Sequence, residues 1–323
     1  MLKKLGKRMM FEYLFGLPNL KEVFMPEHLL PIFCLIDDFC KLIDEKFSKK
    51  MIGNLNMKQN IKSYKKLSLS EVITILIFFH KSNYRNFKSY YKDFVCIYWK
   101  ELFPMLPSYQ RFIERQQEAV MPMFLLFKCL EKKETGIYYI DSTPIKSCNI
   151  LRANSHKVFK NLASKGKTST GWFYGFKLHI LINENGDLID FSFTTGSIHD
   201  IHQLEYLSKS IYNSEIYGDK GYISTKIEKE LKRKSTKLIT KVRKNMKPRA
   251  ITSSQKYFLS KRGLVETVID ILKNEIQIEH TRHRSVNNFM ANLLSGILAY
   301  KFRSKKPTIK KSLPSSQKFG LSA

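Results

Sequence analysis

The spacing of apolar residues changes character near residue 136. Before it the period is helical. In residues 28–47 (HLLPIFCLIDDFCKLIDEKF), Leu29, Ile32, Phe33, Ile36, Phe39, Cys40 and Ile43 recur at intervals that share one side of a helix. Ser70 and Glu71 open a second apolar helix, VITILIFFH, and residues 85–103 and 108–131 read as two more. Beyond Gly136 the pattern becomes that of strands. GIYYIDSTPIK, WFYGFKLHILI and DLIDFSFTT are the first three, with Asn185-Gly186 a hairpin signal between the second and third. Residues 200–211 suit a helix, EIYGD a fourth strand, 224–234 a helix and TKLITKV a fifth strand. Amphipathic helices follow over 264–279 and 286–303. The expected fold is α+β: a mixed five-stranded sheet with flanking helices, preceded by an all-α region. The expected division is a weakly structured extension 1–27, a helical domain 28–135, an α+β domain 136–303 and a disordered basic tail 304–323.

Charge changes the picture more than any single motif. Lys and Arg number 56 against 28 Asp and Glu, a formal net charge of +28, while 43% of residues are apolar. A folded chain this basic points to a polyanionic partner, nucleic acid first. Five scattered cysteines without a C-x2-C pair argue against a disulfide framework and a zinc site, and for a reducing compartment. The longest apolar runs, 72–79 and 120–127, fall far short of the ~20 residues that span a bilayer. The basic start is interrupted by Glu12 and is not read as a signal peptide.

Three carboxylates stand at the ends of predicted elements. Asp141 ends the first strand, inside YYIDST, where an acid among apolar residues is costly unless paired or metal-bound. Asp219 ends the fourth strand in YGDKGY, and Glu266 lies on the helix after the fifth, in LVETV. Neighbouring strands in such a layer bring the first two ends side by side, with the helix crossing that edge. Three carboxylates around one cleft make a hard-oxygen site suited to Mg²⁺ or Mn²⁺, and two ions can serve an in-line displacement at phosphorus. Arg262, Glu266 and Lys273 share one helix face, opposite Val265, Val268, Ile269, Leu272 and Ile276. For each acid alone the bland reading is a salt bridge or a turn cap; for Arg262 and Glu266 it is an i,i+4 ion pair.

The strings GIYYIDSTPIK, SHKVFKNLASKGKTSTGWFYGFKLH, GDKGYIS, LITKVRKNMK and VETVIDILKNEIQIEHTRHRS resemble the bacterial transposases of the insertion-sequence-982 family, in the DDE superfamily. The likeness runs from about residue 28 to 307 and is dense over 136–303. It implies a ribonuclease-H-like catalytic core with Asp141, Asp219 and Glu266 as the metal-binding triad. A sister group carries Tyr-x2-Arg-x3-Glu-x6-Lys around the third acid; Arg262, Glu266 and Lys273 fit, and Leu259 takes the Tyr place. The implied activity is Mg²⁺- or Mn²⁺-dependent cleavage of DNA at the element's ends, then attack of the freed 3′-hydroxyl on target DNA. Terminal inverted repeats and target DNA are the implied ligands, and a homodimer would pair the ends in the bacterial cytoplasm, at the nucleoid. Two other readings stay open: a metal-dependent nuclease without strand transfer, and a non-catalytic DNA-binding relative.

Basic surfaces bracket the acids. Residues 142–183 carry seven Lys and Arg and no acid, and 226–262 carry fourteen against two Glu. The Ser/Thr/Gly/Lys-rich stretch between the first two strands is expected to be an exposed loop near Asp141, with Lys157 and Lys160 on phosphate. Lys177, expected to face the cleft, and Lys220 join Arg262, Lys273, Arg282, His283 and Arg284 as candidate DNA contacts. His280 and His283 have metal-like spacing without further soft ligands, and a tyrosine-recombinase reading through Tyr300 fails because His283 stands where that chemistry needs arginine. Residues 199–202 read as a helix N-cap, and Trp172, Phe173 and Tyr174 as buried strand residues.

Overall fold

The structure is a computed structural model that describes residues 28–51, 66–169, 171–241, 246, 250–279 and 283–309. Residues 1–27, most of the basic tail, His280 and Arg282 lie outside the described residues. In chain order the helices are α1 (Leu29–Met51), α2 (Leu69–Phe79), α3 (Tyr109–Arg115), α4 (Val120–Cys129), α5 (Ile201–Leu207), α6 (Thr225–Arg233), α7 (Ser253–Ser260), α8 (Gly263–Asp270) and α9 (Val286–Lys301). The strands are β1 (Ile137–Cys148), β2 (Ser164–Thr168), β3 (Gly171–Asn183), β4 (Leu188–Thr195), β5 (Glu215–Gly218) and β6 (Lys237–Thr240). No helix among the described residues is long and apolar enough to cross a membrane.

Two compact units share the chain, and their segments alternate. One takes the described residues up to Glu131 with Leu151–Asn161 and Ile271–Arg303; the other takes Lys132–Ile150, Leu162–Asp270 and the residues from Ser304. The regular elements among the first unit's described residues are all helical. Helix α2 is capped by Ser68, two residues before the expected Ser70: the Ser68 hydroxyl accepts from the Glu71 amide at 3.2 Å, and the Glu71 carboxylate accepts from the Ser68 amide at 2.6 Å. This reciprocal cap satisfies two donors that a helix start leaves open. Residues 85–103, expected as one helix, hold short α turns at Phe87–Ser89 and Cys96–Tyr98 joined by a π-helical segment, Tyr90–Val95. The wider turn lets the adjacent Tyr90 and Tyr91 both be buried. Helix α9 packs on α2 and α4. Behind α2, the buried His80 holds the Ile276 carbonyl with Nδ1 at 2.7 Å and meets Ser295 Oγ with Nε2 at 3.0 Å.

The second unit is built on a six-stranded sheet in the order β2-β3-β1-β5-β6, with β4 also paired to β3. One edge of β3 runs antiparallel to β1; the other takes β2 over Gly171–Gly175 and β4 over Phe176–Ile182. β1, β5 and β6 are parallel. The expected five strands are present, and β2 is the addition. It forms within the stretch expected as a loop, because SKGKT offers an extended backbone to the free edge of β3 although little of it is apolar. Tyr138, Ile140, Leu181, Ile216, Leu204, Leu207, Ile227 and Leu231 form a core between one sheet face and α5 and α6. Trp172, expected to be buried, is 61% exposed, with the Lys167 ammonium 5.8 Å from its ring; Phe173 and Tyr174 are buried. Trp172 stands at the start of β3, beside the exposed Gly171, where burial along the strand has not yet begun.

Between β3 and β4, Asn183 closes a turn through bonds between its own backbone and those of Gly186 and Asp187. Gly186 adopts φ +70°, and a Cβ there would lie 2.1 Å from the Pro307 carbonyl oxygen, so only glycine fits. Residues 304–309, expected to begin the loose tail, are held here. The Lys306 ammonium meets Asp187 at 2.6 Å, and the Ile309 amide donates to the Glu184 carbonyl at 3.1 Å.

Candidate active site

Strand pairing brings the first two acids level. β1 and β5 run parallel in the register Ile137–Glu215, Tyr138–Ile216 and Tyr139–Tyr217. Two residues further along each strand stand Asp141 and Asp219, at the edge where β5 has ended. Neighbouring strands lie about 4.8 Å apart, so matched register alone makes the two carboxylates neighbours. Alternation from Tyr139 puts Asp141 on the face away from the Tyr138–Ile140 core. On that same face the Tyr139 hydroxyl donates to the Phe258 carbonyl of α7 at 3.1 Å.

Helix α7 was not foreseen, although its Thr252–Gln255 capping box is explicit in the chain. Its Gln255 amide donates to Glu215 of β5 at 2.6 Å, which ties the helix to the sheet. A turn through Lys261 and Arg262 then starts α8, which packs against β1 with Glu266 in its first turn. Arg262 joins the pieces: Nη2 meets Glu266 Oε1 at 2.5 Å, and Nη1 stands 3.6 Å from Asp141 Oδ2. The other Asp141 oxygen accepts from the Ser142 amide at 2.8 Å.

Burial pushes the Asp141 carboxyl up to about 6, and the negative charges of Glu266 and Asp219 push the same way. The Ser142 amide and the Arg262 guanidinium oppose them. All three acids thus act on one spot, from one unit of the chain. Among the described residues, no three His, Cys, Asp or Glu side chains are gathered closely enough to hold an ion as they stand. The donor chemistry still fits a hard divalent cation: the acidic groups that bear on the spot are carboxylates, one of them buried enough to resist ionisation.

Tyr222, on the far side of the sheet from Asp141 within the Tyr138–Ile140 core, is the residue next to Asp219 that sequence reasoning missed. Asp219 precedes a 3₁₀ turn, Lys220–Tyr222, whose last amide donates to the Asp219 carbonyl at 3.0 Å. The turn folds the Tyr222 ring back onto Gly218; a Cβ on Gly218 would lie 3.2 Å from Tyr222 Cδ2 and 3.0 Å from Ile140 Cγ2. The Tyr222 hydroxyl is buried beside Ser142 without forming a well-aligned hydrogen bond. Burial raises its pKa, and the charges of Asp200, Asp141 and Asp219 add to the rise. The spacing Gly218-Asp219-x-x-Tyr222 was the available signal.

A second polar group lies on the opposite sheet face from Asp141. His179 pairs with Ser142 across β3 and β1, and its Nε2 meets Thr194 Oγ1 at 2.8 Å. Lys177, expected at the cleft, instead bonds the Asp200 carboxylate at 3.0 Å and the Ile198 carbonyl at 2.9 Å. It lies two residues from His179 and so shares that face. Asp200 precedes α5 as expected, but its side chain makes no capping bond.

Residues 131–286 match a family model described as a transposase DDE domain. This DDE segment is just under half of the chain and contains all three acids. A comparison with curated protein sequences finds no match. Among solved structures, the chain is similar to the piggyBac transposase synaptic complex with hairpin DNA at 12% identity, covering 86% of this chain and 72% of that one, with a TM-score of 0.42. It is similar to the Mos1 strand transfer complex at 14% identity, covering 86% and 95%, with a TM-score of 0.23. The intasome of simian T-cell lymphotropic virus, in complex with a phosphatase regulatory subunit, gives 11% identity over 61% and 69%, and a TM-score of 0.21.

The basic residues divide between the two units. Lys220 and Arg262 belong to the unit with the three acids; Lys220 is exposed, and Arg262 is bound as described. Lys157 and Lys160 are exposed in the helical unit, whereas Asp141 belongs to the sheet unit. Lys273 is paired with Glu279 at 2.9 Å in the π-helical turn Ile271–Glu275 that follows α8, so the expected single helix over 264–279 ends early. His283 is half-buried and Arg284 exposed, both in the helical unit.

Proposed function

We propose that the chain is a DDE transposase of the insertion-sequence-982 type, with a ribonuclease-H-like core that cleaves DNA at the ends of its element and joins the freed 3′-hydroxyl to target DNA. The observation that carries this reading is the level placement of Asp141 and Asp219 on parallel strands, with Glu266 tied to Asp141 through Arg262, inside the DDE segment. The +28 charge supports DNA as the partner.

Asp141, Asp219 and Glu266 would hold one or two divalent ions, Mg²⁺ or Mn²⁺. Such ions, when bound, activate the attacking oxygen and neutralise charge at phosphorus. The chain's own groups prepare that site. The Ser142 amide fixes one Asp141 oxygen and so turns the other toward Arg262. Arg262 balances Asp141 and Glu266 until a cation or a phosphate takes over that role. Lys220, next to Asp219 and exposed, is positioned to contact a phosphate of the same strand. A homodimer on paired inverted repeats completes the reading.

The test is cleavage and strand transfer on the DNA ends that flank the gene, with and without Mg²⁺. Wild type should nick and join; Asp141→Asn, Asp219→Asn and Glu266→Gln should bind DNA and do neither. Cutting without joining would replace this reading with a nuclease. Binding without cutting by the wild type would replace it with a non-catalytic relative.

A further inference from the structure

A cavity of about 550 Å³ opens within the helical unit, and the proposed chemistry makes no use of it. Its walls come from the end of α2, from the α turn Phe87–Ser89, from α3 and the residue after it, and from α9 with the residues just before it. One side is aromatic: Phe87 and Tyr109 are half-buried, their ring centroids 6.4 Å apart; Phe87 packs on Phe112 and Tyr91, and Tyr109 on Tyr91. The opposite character comes from amides. Gln116 is buried in the wall, and Asn288 and Asn292 project from successive turns of α9. Asn288 Oδ1 is buried without a hydrogen-bond partner. Lys88 and Arg284 stand exposed at the lining, and it contains no carboxylate.

Those groups specify a ligand class. An aromatic platform accepts any flat ring, amides read the donors and acceptors on its edge, and cations without acids select an anion. Flat, edge-polar and anionic together describe a nucleotide. The volume lies within the range of small-ligand pockets and is far too small for duplex DNA. An unstacked nucleotide enters such a site; a base-paired one does not. We propose that this cavity receives an unstacked nucleotide of single-stranded DNA, its base against Phe87 and Tyr109, its edge on Asn288, and its phosphates toward Lys88 and Arg284. The inference rests on the reading of the chain as a protein that handles DNA ends, and deepens it: such a pocket would hold a strand end that has come apart from its complement.

The test is binding alone, so it stands apart from catalysis. Full-length protein is titrated, by fluorescence anisotropy, into a labelled oligo(dT) strand and into a blunt duplex of the same length, in the absence of divalent metal. Tyr109→Leu should weaken single-strand binding by about tenfold while leaving duplex binding within about twofold, and Tyr109→Phe should restore it. Asn288→Asp, in the wall of the same cavity, should act in the same direction and serves if Tyr109→Leu melts early. Equal losses on both DNAs, no loss on either, or a wild type that binds no single strand would each overturn the proposal. Thymidine monophosphate that competes as well as the strand would overturn the strand as source and assign the pocket to a free nucleotide. Failure of the transposase reading shows instead in the Mg²⁺-dependent assay, with these affinities unchanged.

Discussion

Arg262 Nη1 stands 3.6 Å from Asp141 Oδ2 while its Nη2 binds Glu266, so one guanidinium spans two acids from different elements. The arrangement makes Arg262 a stand-in cation. Removing it as Arg262→Gln should drive the Asp141 midpoint above about 6, because the opposing charges of Glu266 and Asp219 remain. A ¹³C carboxyl titration reads this directly, and an unmoved midpoint would deny the contact.

Asp141 should also cost stability. Its folded pKa is about 6 against an ordinary 3.8, so the folded chain binds more protons than the unfolded chain between those values. Stability therefore falls as pH rises from about 4 to about 6, and stays lower above. Asp141→Asn removes the penalty and should be more stable than wild type by on the order of 2 kcal/mol near pH 7, with the gap closing toward about pH 4. Urea titrations at a series of pH values test it; parallel curves would refute the assigned burial.

His80 acts in the opposite direction and in the other unit. Burial lowers its pKa from 6.5 to about 4, so the unfolded chain takes up a proton first as the medium is acidified. The stabilisation is complete above about pH 6.5 and is lost as pH falls toward 4. His80→Gln keeps a donor for Ile276 and an acceptor for Ser295, and should flatten this slope. Amide exchange read separately on α2 and α9 distinguishes it from the Asp141 effect.

Gly218 should tolerate no side chain. Gly218→Ala presses on Ile140 and Tyr222 at 3.0 and 3.2 Å and should cost about 1–3 kcal/mol, with a loss of cleavage as Asp219 shifts. Tyr222→Phe keeps the ring and removes a hydroxyl without a well-aligned bond, so its stability should change by less than about 1 kcal/mol. Thermal melts of the two variants decide; equal losses would mean that the hydroxyl, not the ring, holds the turn.

Lys157 and Lys160 should reveal themselves through salt. If each neutralises one phosphate of duplex DNA, the double Ala variant lowers the log–log salt slope by about 1.8. An unchanged slope would remove both from the interface.

Much of the sheet was legible because β1, β3 and β4 alternate or run apolar over long stretches. Asp219 stands where β5 stops, as expected, but Asp141, expected to end the first strand, lies inside β1, which continues to Cys148 because its second half pairs with β3. β2 was not, since SKGKT draws its order from the edge of β3 rather than from its own composition. Helix α7 was hidden by a short, weakly amphipathic sequence, although Thr252 and Gln255 announce its start. Lys177 was misplaced toward the cleft because strand parity, counted from Asp141, depends on a pairing register that one strand alone does not reveal. The i,i+4 spacing foretold the pair of Arg262 with Glu266 but not the reach of its other nitrogen to Asp141, and the turn that folds Tyr222 back onto Gly218 leaves no mark in periodicity or charge.

The alternation of segments between the two units limits how this polypeptide can be divided. Helix α9 lies near the end of the chain yet buries Leu293, Leu294, Ile297 and Leu298 in the same unit as α2 and α4. A fragment stopped at residue 135 would strip those helices of their apolar cover, and one begun at 136 would carry α9 without its supports. Neither half is a self-sufficient cassette, so exchange of the N-terminal region between relatives would have to bring a matching C-terminal helix with it.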